Sequence, residues 1–201
     1  ESFFKELVEH HISGQLKVAP EHCSAPVLSC MGKPPIDTYR RFQKRFYELT
    51  KSAGKKQYLV PYLMSSHPGS TMRDAIELSV FLKREGLHPE QVQDFYPTPG
   101  TVSTCMFYTG LDPYTLKPVY VPRTPREKAE QRALLQYFRP ENRPLVLAAL
   151  KKRGADPCAF KSGPDYIDPM FHRSALQVDS HNLDLFLSNR DMVRAIFARY
   201  A

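Results

Sequence analysis

The stretch GKKQYLVPYLMSSHPGST, residues 54–71, limits what this chain can fold into more than any other. Residues 58–64 are almost wholly apolar and rich in β-formers, which predicts a strand covered on both faces in a parallel sheet. Polarity then arrives at once. Ser65, Ser66 and His67 stand where the strand ends, Pro68 and Gly69 turn the chain, and Thr71 with Asp74 three residues on forms a capping box for the next helix. The unit is strand, polar tip, helix. Parallel strands bind ligands at their carboxyl ends, so this tip is the first candidate site.

The same rhythm recurs on either side. The chain opens in an amphipathic helix over residues 1–10, followed by a short strand at 15–19 that ends in Pro20-Glu21-His22. A short helix at 25–31 leads to a longer one at 38–53, capped by Asp37 and closed by Gly54. The helix of the opening unit spans 72–85, and a third strand at 91–96 runs into a proline-glycine turn at 97–101. Residues 102–123 read as a proline-, tyrosine- and threonine-rich extension or linker. Thr124-Pro125-Arg126-Glu127 starts a helix to Phe138, which pairs with a second helix at 143–153 as a helical hairpin. Residues 155–180 read as irregular, and Ser188 with Asp191 opens a last amphipathic helix. The expected class is α/β, with consecutive strand-helix units in residues 1–123 and a helical region in 124–201.

Charge and cysteine usage narrow the function classes. A formal net charge of +7 favours phosphate-bearing partners, RNA among them, but no aromatic-and-basic stripe accompanies it, and a solvated basic surface is the better account of it. Cys23, Cys30, Cys105 and Cys158 form no CxxC pair, which argues against a disulfide framework or zinc ribbon and for reduced thiols in a cytoplasmic protein. No segment approaches the ~20 apolar residues of a membrane span.

The tips carry a resemblance. GQLKVAPEH, GKKQYLVPY and VQDFYPTPGT, followed by the basic helix EKAEQRALLQYFRPEN, resemble the carboxyl-terminal half of the YgiQ-type radical S-adenosylmethionine proteins over roughly residues 1–150. The resemblance implies the carboxyl-terminal half of a partial (β/α)6 barrel, with the three strands as its fourth, fifth and sixth, and a helical appendage behind it. It also implies a parent enzyme that uses S-adenosylmethionine and a [4Fe-4S] cluster to generate a 5′-deoxyadenosyl radical on an unknown substrate. The cluster ligands of that family, a CxxxCxxC loop, are absent from this chain. Either the chain is a fragment whose partner is the missing amino-terminal half of the barrel, or it is a degenerate relative. A half barrel would leave a strand edge and an apolar lumen exposed, which favours the fragment. Such a chain is inactive by itself.

On the resemblance, Glu21 ends the fourth strand, where a carboxylate suits the amino group or ribose of the nucleotide; capping of the following helix is the plainer role. Ser65, Ser66 and His67 form the lip of the fifth strand, with His67 a conceivable proton donor, or Ser66 does no more than satisfy the turn. Tyr96 and Pro97, with Gly100, offer an aromatic face and backbone groups where the sixth strand passes the adenine, or simply pack as a turn. His22 reads as a packing or substrate-side residue, and the cysteine spacings match no iron–sulfur pattern. The catalytic residues stay unassigned, and no metal ligand is expected. Two rival readings remain. A non-catalytic module could use Lys128, Arg132 and Arg139 to hold RNA or a protein, and an ordinary barrel enzyme could pair Glu21 with His67.

Overall fold

The computed structural model describes residues 2–154, 158–163, 170, 173–174, 178–185 and 188–200. It divides into two compact units, Glu1–Asn142 and Arg143–Ala201. In the first, helix α1 (Ser2–Glu6) continues as a π-helical turn (Leu7–His11) into strand β1 (Gln15–Glu21). Helices α2 (Ala25–Cys30) and α3 (Ile36–Ser52) lead to strand β2 (Tyr58–Ser65), and helix α4 (Met72–Arg84) leads to strand β3 (Gln93–Asp94). Helices α5 (Val102–Thr109) and α6 (Pro125–Leu135) follow.

The strands form one parallel sheet in the order β1-β2-β3. Gln15 lies opposite Tyr58 and Val18 opposite Pro61, then the register slips so that Glu21 faces Leu63. Three steps on β1 match two on β2, so one extra residue is accommodated just before the tip. β3 contributes only Gln93 and Asp94, opposite Met64 and Ser65, a shorter strand than its sequence suggests.

Helices cover one face of the sheet. Leu63 joins Leu78, Phe81, Leu82 and Leu135 in one core, and Leu59 joins Val8, Phe46 and Leu49 in another. The alternate residues Tyr58 and Tyr62 are 58% and 40% exposed. The expected coverage of β2 on both faces is therefore met on one only; a strand apolar on both sides reads alike whether or not its second cover is present.

Several local expectations hold and several are corrected. Thr71 and Asp74 form the capping box, and Thr124 accepts the Glu127 N–H to start α6. Asp37 is not a cap: α3 starts two residues earlier than expected, at Ile36 behind Pro35, and the Asp37 carboxylate meets Arg40 at 3.3 Å. Residues 102–109 are helix rather than linker, because Thr101 accepts the Thr104 N–H at one end and Gly110, at φ 70°, closes the other. Proline and threonine richness hid two good caps. α6 belongs to the first unit, with Leu134 and Leu135 buried, whereas the sequence groups it with the appendage.

In the second unit, helix α7 (Arg143–Lys152) precedes a parallel pair of strands, β4 (Ala159–Ser162) and β5 (Ser180–Leu183), and helix α8 (Arg190–Tyr200) ends the chain. This strand pair falls in or beside the stretch read as irregular, much of which lies outside the described residues; pairing across such a separation leaves no local period. Asn189, rather than Ser188, caps α8 by accepting the Met192 N–H at 2.8 Å. Among the described residues no helix is long and apolar enough to cross a membrane.

Candidate functional site

Two adjacent strands end in the same unusual way. Glu21 at the tip of β1 and Ser66 just past β2 adopt left-handed backbone angles, φ 64° and 62°, which non-glycine residues rarely accept. Such conformations cost of order 1–3 kcal/mol each and persist only where their surroundings hold them. Both are held here.

At β1, the Glu21 carboxylate is 3.2 Å from the Lys33 ammonium, which also donates to the Ala19 carbonyl at 2.7 Å. His22 is 1% exposed, and its Nδ1 accepts the Ser24 N–H at 3.0 Å. The Ser24 hydroxyl donates to Asp74, and Asp74 also takes the Thr71 N–H at 3.0 Å, so the α4 capping box ties the two tips together. These hydrogen bonds hold the Asp74 carboxyl below its ordinary range, against the opposing pull of burial. Burial drives the His22 imidazole the other way, down to about 4, despite the nearby Asp74.

At β2, Ser65 donates to the Asp94 carboxylate and so joins the tips of β2 and β3. Ser66 hands its N–H to Gln131 Oε1 at 3.1 Å, while its own hydroxyl is buried and has no hydrogen-bond partner among the described residues. Gln131, on α6 and 1% exposed, also accepts the Ser70 hydroxyl at 3.0 Å and donates to the Ser70 carbonyl at 2.8 Å. His67 is 3% exposed and edge-on to Phe95 at 5.0 Å. Its Nδ1 lies 2.6 Å from the Pro68 carbonyl and its Nε2 2.8 Å from the Ser103 hydroxyl. A carbonyl only accepts, so Nδ1 carries the proton and Nε2 the lone pair. Burial lowers the His67 pKa, which favours the neutral ring whose Nε2 accepts the Ser103 hydroxyl.

The structure thus gathers Glu21, Ser65, Ser66 and His67 at neighbouring tips. Tyr96 points away, 76% exposed, and Pro97 is partly buried beside it; the aromatic ring facing the tips is Phe95. Gln131, Ser103 and Phe95 escaped the sequence reading. A signal existed for Gln131: an uncharged polar residue amid AEQRALL occupies the same buried helix face as Leu134 and Leu135. The basic groups of α6 and its continuation engage neighbours, Lys128 over Phe107, Arg132 on Asp94 and Arg139 on Glu141. Cys23 is buried and its thiol is pushed up to about 12, which makes it unreactive. Among the described residues no three of His, Cys, Asp and Glu come together to hold a metal.

One consequence is a pH dependence. Unfolded, His22 titrates near its ordinary value of 6.5, and folded near 4, so the unfolded chain binds the extra proton between those limits. Stability is therefore full above pH 6.5 and falls as pH drops toward 4, by about 1 kcal/mol per pH unit and ~3 kcal/mol in all. Urea unfolding from pH 7 to 4.5 should show this slope, and His22→Gln should flatten it. An unchanged slope in the variant would assign the effect to other groups.

Comparison with known proteins finds relatives of this sequence. Residues 90–161 match the family described as Domain of unknown function (DUF3362). A UPF0313 protein of Clostridium perfringens (strain 13 / Type A) is 60% identical over 156 residues, covering 78% of this chain and 24% of that protein. One from Clostridium botulinum (strain 657 / Type Ba4) is 55% identical over 169 residues, 84% of this chain and 26% of that one. The chain thus spans about a quarter of the length of the curated relatives it matches. No solved structure matches it.

Proposed function

Because this chain belongs to the UPF0313 family, the YgiQ-type radical S-adenosylmethionine proteins, we propose that it supplies the carboxyl-terminal half of a partial (β/α)6 barrel and one lip of that barrel's nucleotide pocket. One observation carries the assignment. The Ser66 hydroxyl is buried without a partner among the described residues, on a left-handed tip flanked by Glu21 and His67. A buried hydroxyl left unpaired costs about 1–3 kcal/mol, a cost that a ligand hydrogen bond removes.

The residues fit one implied group and not the other. Glu21 offers a carboxylate to an ammonium or a ribose diol once Lys33 yields it, Ser66 a hydroxyl, and His67 the Nε2 lone pair once the Ser103 hydroxyl turns from it. These would hold S-adenosylmethionine, which on one-electron reduction supplies a 5′-deoxyadenosyl radical. A [4Fe-4S] cluster finds no ligand set among the described residues, and the four cysteines lack its spacing. Its ligands belong to the remainder of the longer protein, and the substrate is unassigned. What this chain does itself is bind and orient: the tips fix polar groups at set positions, and Phe95 packs edge-on against the buried His67 ring.

The test uses a full-length relative, reconstituted with iron and sulfide and reduced with dithionite. The expected result is 5′-deoxyadenosine formation from S-adenosylmethionine, and none under strong reductant would end the radical reading. The residue matching Ser66, changed to alanine, should weaken S-adenosylmethionine binding about tenfold, ~1.4 kcal/mol, with the fold intact.

A further inference from the structure

The Lys33 ammonium is held as a bound amine would be. It donates to the Ala19 carbonyl at 2.7 Å and lies 3.2 Å from the Glu21 carboxylate, so both acceptors come from the end of β1, and the Lys33 and Glu21 side chains are 30% and 18% exposed. The loop that carries it is anchored separately. The Lys33 N–H donates to the Leu28 carbonyl at 2.9 Å, and the Gly32 N–H to the Ser29 carbonyl at 3.0 Å, so the side chain is free to leave while its backbone stays. Ala19 and Lys33 also line an apolar groove of about 300 Å³, walled by Val18 of β1, Leu28 of α2, and Ile36 and Phe42 of α3. The ammonium site and the groove are contiguous through these two residues.

The chemistry of exchange identifies the ligand class. An ammonium that replaces Lys33 keeps the partly buried Glu21 carboxylate paired, whereas a neutral diol in the same place strips it of its counter-charge. The Ala19 carbonyl only accepts, so the incoming group must bring a proton to it, which a quaternary ammonium lacks. The groove beside the site suits an apolar chain behind that head, as the stem of lysine itself provides.

We propose that Glu21 and the Ala19 carbonyl form a subsite for a primary ammonium on an apolar chain, filled by Lys33 in the free protein and taken over by the amine of a ligand. This rests on the nucleotide reading in one respect, that Glu21 faces a ligand, and it assigns the carboxylate to an amine rather than to a ribose. The amine belongs either to the nucleotide or to a separate substrate. Lys33, tethered by its own loop, competes at an effective concentration on the order of millimolar, so it keeps weak amines out.

Lys33→Ala, made in a full-length relative with lysine and glutamate at the matching positions, tests this without cluster or nucleotide, so its outcome is separate from that of the radical reading. The variant keeps the backbone bonds of the loop. Its thermal midpoint should rise saturably with n-butylammonium chloride, half-maximally at a concentration at least tenfold below that needed by the wild type. n-Butyltrimethylammonium, with the same charge and chain but no N–H, should give no such rise, and adding Glu21→Gln should abolish the response to n-butylammonium. The absence of a saturable rise, an equal rise with the trimethyl salt, or a rise that survives Glu21→Gln would overturn the proposal. In the reconstituted protein the two sources separate: displacement of n-butylammonium by S-adenosylmethionine gives the subsite to the amino group of the nucleotide, and amine binding indifferent to S-adenosylmethionine gives it to a separate amine substrate.

Discussion

Gln131→Met should cost about 4 kcal/mol of stability although it removes almost no volume. The amide serves three groups of the β2 tip: the Ser66 N–H, the Ser70 hydroxyl and the Ser70 carbonyl. Methionine is similar in length and fills the same space, so the packing of Leu134 and Leu135 persists. What it cannot do is accept from two donors and donate to a carbonyl. Each buried group left unpaired costs about 1–3 kcal/mol, and the Ser70 hydroxyl can rotate toward another acceptor, which leaves two full penalties. Urea titration against wild type measures the loss. A cost below about 1 kcal/mol would mean that the amide does not hold the tip.

Gly69→Ala should be nearly as damaging, for a different reason. At φ 92°, Gly69 occupies backbone territory that an L-residue enters at a cost of roughly 1–2 kcal/mol. A Cβ built there would sit 2.8 Å from the Cys30 sulfur and 3.3 Å from its Cβ, so the sulfur must swing to another rotamer, α2 must move or the turn must open. The turn cannot open freely, because the Gly69 N–H donates to the Tyr120 carbonyl at 2.7 Å. Overpacking of this kind costs about 1–3 kcal/mol, for a total near 3 kcal/mol. The two causes separate in a double-mutant cycle with Cys30→Ala, which removes the sulfur and should return the clash portion, leaving the backbone strain. A coupling energy near zero would show that the sulfur is not what the methyl meets.

The strand-helix units were legible because each announces itself locally. The apolar run of β2, the Thr71–Asp74 box and the Thr124 cap require only neighbours in sequence, and all are found where expected. The tip residues Glu21, Ser65, Ser66 and His67 were legible for the same reason, as abrupt polarity at a strand's end. What was not legible depends on partners far along the chain. Gln131 meets Ser66 across 65 residues, and Ser103 meets His67 across 36. Tyr96 reads as well as Phe95 for an inward ring, and only the register of β3 on β2, Ser65 beside Asp94, turns Phe95 inward. The chemistry of His67 was half legible: its position follows from sequence, but its tautomer follows from the Pro68 carbonyl that claims Nδ1.

The extra residue in β1 between Val18 and Glu21 sets a phase as well as a bend. Side chains along a strand alternate between faces, so a shift of one exchanges them. Upstream, Leu16 and Val18 turn toward the α3 core, and downstream the offset allows Glu21 to meet Lys33 while His22 goes inside. Loss of one residue from Ala19 or Pro20 would regularise the ladder and carry the carboxylate toward the interior and the imidazole toward water. For this stretch, then, residue count is a tighter constraint than residue identity: β1 can trade side chains along much of its length, but it cannot be shortened by one.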